Sequence, residues 1–376
     1  MGTPLRILVV DDSSLVRRLL RELLEADPDV RIVGEAADGR QALAMVAELR
    51  PDLVILDVRM PVMDGVETTR QIMAYHPTPI LILTTSLSSY DVDITFQMLG
   101  AGALDVMEKP PLGDPMAVER SRLALLRKVR LLARVKVVTH LRGRRERLRA
   151  EPEEVRKPKL AAAASAPVRN SDRKPITHPD FSLHNSQFPI VAIGASTGGP
   201  RVIRQILSAL PADFPAAVLV IQHIAQGFSA GMAEWLAEST ELPVSLAAEG
   251  SVLQPGRVLV APDRYDLLVR GDGTIHLSGL PLLLQRPAID IAMQSLAAFY
   301  GPAAIGVLLT GMGRDGARGL QAIRRAGGYT IAQDAASCTI YGMPRAAVEL
   351  GAADDVLPAA QIADAIMAQL ARIRHT

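Results

Sequence analysis

Asp11 and Asp12 close the apolar run ILVV, Asp57 closes LVIL, and Lys109 follows ALDVME ahead of Pro110. Polar groups at the ends of short apolar runs are the side chains that a parallel sheet can gather at one rim. Three carboxylates packed together repel one another, and a divalent cation relieves the repulsion. Hard oxygen ligands with room for water suit Mg²⁺, which keeps several waters and can bridge a carboxylate to a phosphoryl oxygen. Lys109 can pair with the charge formed there, and Thr84 or Thr85 offers a hydroxyl donor. Together these groups describe an acyl-phosphate site on Asp57. Taken alone, Asp11 and Asp12 fit equally well as an N-cap before SLVRRLL.

A second set lies in the other half of the chain. IVAIGASTGGP puts Ser196 after an apolar run, between Gly194 and Gly198. Such a turn lifts a hydroxyl off a sheet edge and leaves backbone N–H groups facing an anion. GxSxG also fits a plain N-cap or a phosphate-binding loop. A serine nucleophile needs a base, and the chain has 7 histidines. His76 belongs to the first half, His140, His178 and His184 to a connector, and His375 to the terminus. His223 closes AAVLVIQH on the rim where Ser196 is expected, whereas His276 lies in a predicted hairpin, so His223 is preferred. The carboxylate that orients the imidazole and balances its charge is expected to be Asp315, after AAIGVLLTGMGR. The rival is a dinucleotide fingerprint, Gly311-x-Gly313-x-x-Gly316, with Asp334 about twenty residues on. It places Asp315 inside the loop meant to hold a pyrophosphate, which argues against it. Cys338 reads as a small packed residue, without a nearby histidine to activate it.

The elements that must position these groups follow a βαβ rhythm. Strand RILVV, a helix near 14–26, strand RIVGEA, a helix near 39–49 and strand DLVILD come first. A helix near 65–75, strand PILILTT, a helix near 91–100 and strand ALDVME complete about 110 residues of doubly wound parallel sheet. Leu123, Leu126, Val129, Leu132 and Val135 keep helical spacing, so a final helix is expected within 115–149, running out of the domain. Pro, Ala, Ser and charge then dominate to residue 187, as in a tether. A second series starts at PIVAIG, with strands AAVLVIQH, PVSLAAE, RVLVAP, AAIGVLLTG and GYTIAQD. Its helices fall near 199–210, 228–239, 288–299, 315–326, 343–350 and 358–373, with a hairpin near 265–278 around Gly-Asp-Gly. The fold class is thus α/β, two doubly wound, largely parallel-sheet domains. Their expected bounds are 4–122 and 188–376, joined by a basic helical and flexible linker over 123–187.

Bulk properties agree. The chain has 376 residues, 49% hydrophobic and 22% charged, enough for two buried cores. One cysteine excludes an internal disulfide, and neither CxxC nor HxxxH spacing suggests zinc. No long apolar run or basic leader points to a membrane or to export, so a cytoplasmic protein is expected. Residues 117–174 hold 18 Lys and Arg against 6 Asp and Glu, or +12. With a total of +1, the rest carries 23 basic against 34 acidic residues, or −11. A basic tether between acidic domains explains this without nucleic acid.

ILVVDDS, LVILDVRMPVMDG and VMEKP resemble the motifs of response-regulator receiver domains across residues 5–111. That resemblance implies a flavodoxin-like fold, Asp57 as phosphoacceptor and a histidine kinase as phosphodonor. It also implies Mg²⁺ on Asp12 and Asp57, with Asp11, Thr84 and Lys109 in support. Counting from Pro79 favours Thr84 as the hydroxyl, and counting back from Lys109 favours Thr85. Val106 stands where the family often carries an aromatic residue.

GASTGGP, VIQHIAQGFS, LTGMGRDGARGL and YGMPRAA resemble the Rossmann-like catalytic domain of chemotaxis protein-glutamate methylesterases. The order Ser196, His223, Asp315 differs from that of α/β-hydrolases. The resemblance implies demethylation of γ-glutamyl methyl esters, and deamidation of glutamines, on methyl-accepting chemoreceptors. It implies no cofactor for the esterase, no DNA, no membrane insertion, and the Met312 N–H as an oxyanion donor. A proline often seen in the family's loop after the histidine is absent from Ile224–Phe228. Phosphorylation of Asp57 is expected to regulate the esterase.

Overall fold

The computed structural model describes residues 3–85, 89–111, 113–137, 188–279 and 286–373, with 89 and 90 described through their backbone only. It divides into two compact units, residues 3–137 belonging to one and 188–373 to the other.

In the first unit, β1 (Leu5–Val10), β2 (Val30–Ala36), β3 (Leu53–Asp57), β4 (Ile80–Thr84) and β5 (Asp105–Glu108) form a sheet in the order β2-β1-β3-β4-β5. Every pairing is parallel. Helices α1 (Ser14–Glu25), α2 (Gly39–Leu49), α3 (Gly65–Tyr75), α4 (Ser89–Ala101) and α5 (Pro115–Leu132) connect and cover it. β3 and β4 are buried at all five positions, because a parallel sheet covered on both faces hides alternate side chains on opposite sides. Each Val, Leu or Ile buried this way is worth about 1.5 to 3 kcal/mol relative to exposure.

The N-cap of α1 is Ser13, whose hydroxyl accepts from the Val16 N–H, while Asp11 accepts from the Ser13 N–H. Asp11 and Asp12 are therefore not the cap of that helix. α5 ends at Leu132, short of the helix expected to reach Val135 and beyond. Leu125, Leu126, Val129 and Leu132 bury in the core of this unit, with Val135 and Val137 packed against it. Tight turns at Ala133–Val135 bring the chain back to the core, where β-branched residues pack without helix. The helix also crosses position 122, where the sequence placed the first domain's end. The rest of the expected linker, 138–187, lies outside the described residues.

In the second unit, β6 (Ile190–Ala195), β7 (Ala217–Gln222), β8 (Val244–Leu246), β9 (Val258–Val260), β12 (Ala304–Leu308), β13 (Tyr329–Gln333) and β14 (Asp355–Leu357) form a parallel sheet. Its order is β14-β13-β12-β6-β7-β9-β8. β10 (Asp266–Val269) and β11 (Ile275–Ser278) make the expected antiparallel hairpin. Helices α6 (Gly199–Leu207), α7 (Ser229–Ala237), α8 (Ile289–Tyr300), α9 (Ala317–Arg325), α10 (Met343–Glu349) and α11 (Ala359–Ile373) complete it. The chain leaves β6 for β7 on one side and later adds β12 on the other. The carboxyl end of β6 is therefore the switch point, where such sheets open a crevice.

Candidate active site

Ser196 is the first residue beyond β6, at that switch point. The turn after it needs Gly198, which N-caps α6 at φ +78 and faces Thr339 so closely that a Cβ there would come 2.3 Å from its hydroxyl. Gly311 approaches from the β12 side, where a Cβ would lie 2.6 Å from the Ser196 Cβ. This brings the Gly311-Met312-Gly313 backbone alongside the serine. The Ser196 N–H donates to the Thr310 carbonyl at 3.0 Å. Ser196 itself is 8% exposed, so the hydroxyl sits at the edge of the buried region.

His223 follows β7, and its N–H donates to the Ala195 carbonyl at 2.9 Å. Its Nε2 lies 2.8 Å from Asp315 Oδ2. Asp315 stands between β12 and α9, so His223 reaches across the tip of β6 to meet it. Oδ2 also accepts from the Ile289 N–H, and Oδ1 from the Asp290 and Gly316 N–H groups, each at 2.9 Å. Two of these donors open α8, where the helix dipole favours a negative charge. Burial pushes the Asp315 carboxyl up, but the His223 hydrogen bond and charge and these backbone donors outweigh it and hold it below the carboxylate range. An ionised carboxylate can only accept, so the proton between the two lies on His223 Nε2. Nδ1 is buried and has no hydrogen-bond partner. The structure thus joins His223 to Asp315 and does not hydrogen-bond Nδ1 to Ser196.

Asp290 was not legible as part of this site. Its Oδ1 accepts from the Gly319 N–H at 2.7 Å, so it serves the start of α9 while Asp315 serves the start of α8. Burial, together with the nearby Asp315 charge, raises its carboxyl against the pull of three backbone donors. Asp263, also missed, pins the loop after His223 by accepting from Gly227 and Ser229 N–H at 2.8 and 3.1 Å. Gln222 and Gln333 were read as ordinary strand residues, yet both are buried amides at strand ends. A polar residue closing an otherwise apolar run was the signal available.

The rivals fare poorly. Loop amides that would cradle a pyrophosphate are used by Asp315 and Asp290, and Asp334 accepts from its neighbour Ser337. His276 faces Glu249 on the hairpin. Burial, then the Asp334 charge, push the Cys338 thiol up to about 12, which leaves almost no thiolate at neutral pH.

In the first unit, Asp11, Asp12 and Asp57 each offer a carboxylate oxygen, all within 4.8 Å of one another. Lys109 Nζ lies 2.6 Å from Asp11 Oδ2 and 2.9 Å from Asp57 Oδ2. Burial raises Asp57 to about 6, with Asp11 adding to the rise and Lys109 and the Val58 N–H opposing it. The Lys109 ammonium is held above its ordinary value, since its two carboxylate partners outweigh its burial. Three carboxylates against one ammonium leave an excess of negative charge with Asp12 open to solvent, a donor set that fits a hard divalent ion keeping its waters. Thr84 is buried at the end of β4 and Thr85 is exposed, and both line a cavity beside Lys109. Val106 is buried in β5, opposite Ile82.

The family model described as CheB methylesterase matches residues 191–366, and that described as response regulator receiver domain matches residues 7–116. Protein-glutamate methylesterase/protein-glutamine glutaminase 2 of Anaeromyxobacter dehalogenans (strain 2CP-C) is 45% identical over 368 residues, covering 96% of each chain. The chain belongs to the protein-glutamate methylesterase/protein-glutamine glutaminase family. A methylesterase of the same name in Pseudomonas aeruginosa is 41% identical over 98% of each chain. The solved Thermotoga maritima CheB methylesterase catalytic domain is 38% identical, with a TM-score of 0.46, covering 48% of this chain and 97% of that one. Among the described residues, no helix of this methylesterase is long and apolar enough to cross a membrane.

Proposed function

We propose that this methylesterase hydrolyses γ-glutamyl methyl esters, and deamidates glutamines, on methyl-accepting chemoreceptors in a chemotaxis-type pathway, under control of phosphorylation at Asp57. The observation that carries the reading is the buried, unpartnered Nδ1 of His223, whose opposite nitrogen is tied to an ionised Asp315. A base needs an accessible ring nitrogen and a fixed tautomer, and pairing Nε2 with a carboxylate leaves Nδ1 for that role in the neutral ring. Ser196 Oγ, at the neighbouring strand tip, gives its proton to Nδ1 and attacks the ester carbonyl carbon. The carbonyl electrons move onto oxygen, where the Met312 N–H is the proposed donor. As the tetrahedral species collapses, the imidazolium returns its proton to the methoxy oxygen and methanol leaves. Water, deprotonated by the same nitrogen, then attacks the glutamyl-serine ester, and Ser196 leaves with a proton to give the free carboxylic acid. With a glutamine substrate, ammonia takes the place of methanol. Apart from that water, the proposed esterase steps draw on side chains and backbone groups of the chain.

Asp57 is the proposed phosphoacceptor, with a histidine kinase as phosphodonor. Asp12 and Asp57 would hold Mg²⁺, which shields the incoming phosphoryl charge. Lys109 pairs with the resulting anion, Asp11 helps hold Lys109, and Thr84, buried at the strand end, is favoured over Thr85 as the hydroxyl. The test is methanol release from methylated receptor membranes by the full chain. The reading expects release that rises with a small phosphodonor and Mg²⁺, and no rise in Asp57→Asn. Absence of methanol under both conditions would overturn it.

A further inference from the structure

The pairing of β6 with β7 runs to Ala195 opposite Gln222, and the His223 N–H adds a last rung on Ala195. One residue further, the carbonyls of Ser196 and His223 project beyond the ladder and need other donors. The side-chain amide of Gln222 serves both. Its Nε2 donates to the Ser196 carbonyl at 2.8 Å and to the His223 carbonyl at 2.8 Å, one hydrogen to each. The Ser196 carbonyl also accepts from the Gly199 N–H at 2.8 Å, which joins the same knot to the start of α6.

The other end of this amide is left unsatisfied. Gln222 is 3% exposed, and its Oε1 is buried with no hydrogen-bond partner. An unpaired buried acceptor costs stability and offsets part of what the two donated hydrogen bonds contribute. Room for that oxygen is made by Gly199, where a Cβ would come 2.2 Å from Oε1. The sequence thus keeps a glycine packed against one side of the amide and a two-carbonyl clasp on the other.

We propose that Gln222 is a positioning residue for the esterase reaction, its amide clasping the backbones of nucleophile and base so that Ser196 Oγ and His223 Nδ1 keep their spacing across the tips of β6 and β7. The proposal rests on the reading of Ser196 as nucleophile and His223 as base. Asp315 fixes one end of the imidazole, and Gln222 fixes the backbone from which the imidazole hangs. Without the clasp, the His223 N–H keeps its rung on the Ala195 carbonyl, but the carbonyls of Ser196 and His223 lose the donor they share beyond that rung. A misplacement of about 1 Å at such a pair costs on the order of 100-fold in rate.

The test uses the full-length protein. Gln222→Met keeps the length of the side chain and removes both donor hydrogens together with the orphaned oxygen. The expected result is a folded protein whose kcat for methanol release falls about 10- to 100-fold, with KM within about twofold. Labelling of Ser196 by a serine-directed phosphonate should slow by the same factor. Gly199→Ala is the second perturbation, since its methyl displaces Oε1 without altering Gln222. It should cost about tenfold or more alone and under about threefold in a Gln222→Ala background, the remainder reflecting the Ala195 Cβ at 2.7 Å. If Gln222→Met does not fold, this cycle decides. Wild-type labelling and kcat in folded Gln222→Met, a loss confined to KM, or full additivity in the cycle would overturn the proposal. Failure of the wild-type protein to be labelled at Ser196 would overturn the nucleophile assignment instead, so the two failures are distinct.

Discussion

At the scale of single residues, the chemistry hangs on how Asp315 is held. Its carboxylate is served by one imidazole and three backbone N–H groups, and so stays ionised despite burial. Asp315→Asn offers an amide in place of one acceptor, which reverses the tautomer of His223 and blocks Nδ1 as a base. The predicted loss in kcat is about 10⁴-fold, read in steady-state methanol release. The same residue links stability to pH. Its folded-state pKa lies below the ordinary value of 3.8, so its contribution is present above that value and is lost as pH falls through the lowered one. In melting curves from pH 6 down to 2, Asp315→Asn should lack that part of the acid loss. An identical acid limb in the variant would contradict it. Ser196 and Asp315 were singled out in the sequence by glycines beside strand ends, and His223 by closing an apolar run on the same rim. Gln222, Asp263 and Asp290 were not, because each acts on backbone groups whose identity only the folded chain reveals.

Among elements, parallel strands were the most legible, since burial on both faces writes them as unbroken apolar runs. The end of α5 was not, because Val135 continues a helical spacing while tertiary packing draws it into an irregular turn. The loop after β3 carries a similar hidden feature. Val62 sits at φ +68 and is 72% exposed, a left-handed conformation that costs a β-branched residue about 1 to 2 kcal/mol. Val62→Gly should therefore stabilise the receiver by about 1 kcal/mol, less the entropy that glycine adds to the unfolded chain. In calorimetry the receiver transition is expected to rise by about 2 to 4 °C, and a fall would show that Val62 is unstrained. The hairpin was readable from its Gly-Asp-Gly turn, and the rim residues from the polar side chains that close apolar runs.

For the molecule as a whole, two sheets with separate cores carry two chemistries, one that stores a phosphoryl group and one that cleaves an ester. Residues 188–376 hold a complete seven-stranded sheet with the serine, the histidine and the carboxylate. Expressed alone, that segment is expected to fold and to release methanol at a rate indifferent to phosphodonor, whereas the full chain should respond. A response in the isolated segment would mean that the phosphodonor acts directly on the esterase. The bipartite plan was visible in the sequence because the βαβ rhythm stops near 149 and restarts at 189 with its own strand-end motifs. The most direct test of the whole account is single-turnover methanol release from methylated receptor membranes by Ser196→Ala beside the wild-type chain. The account predicts a fall of at least about 10³-fold with receptor binding intact, and release at the wild-type rate would contradict it.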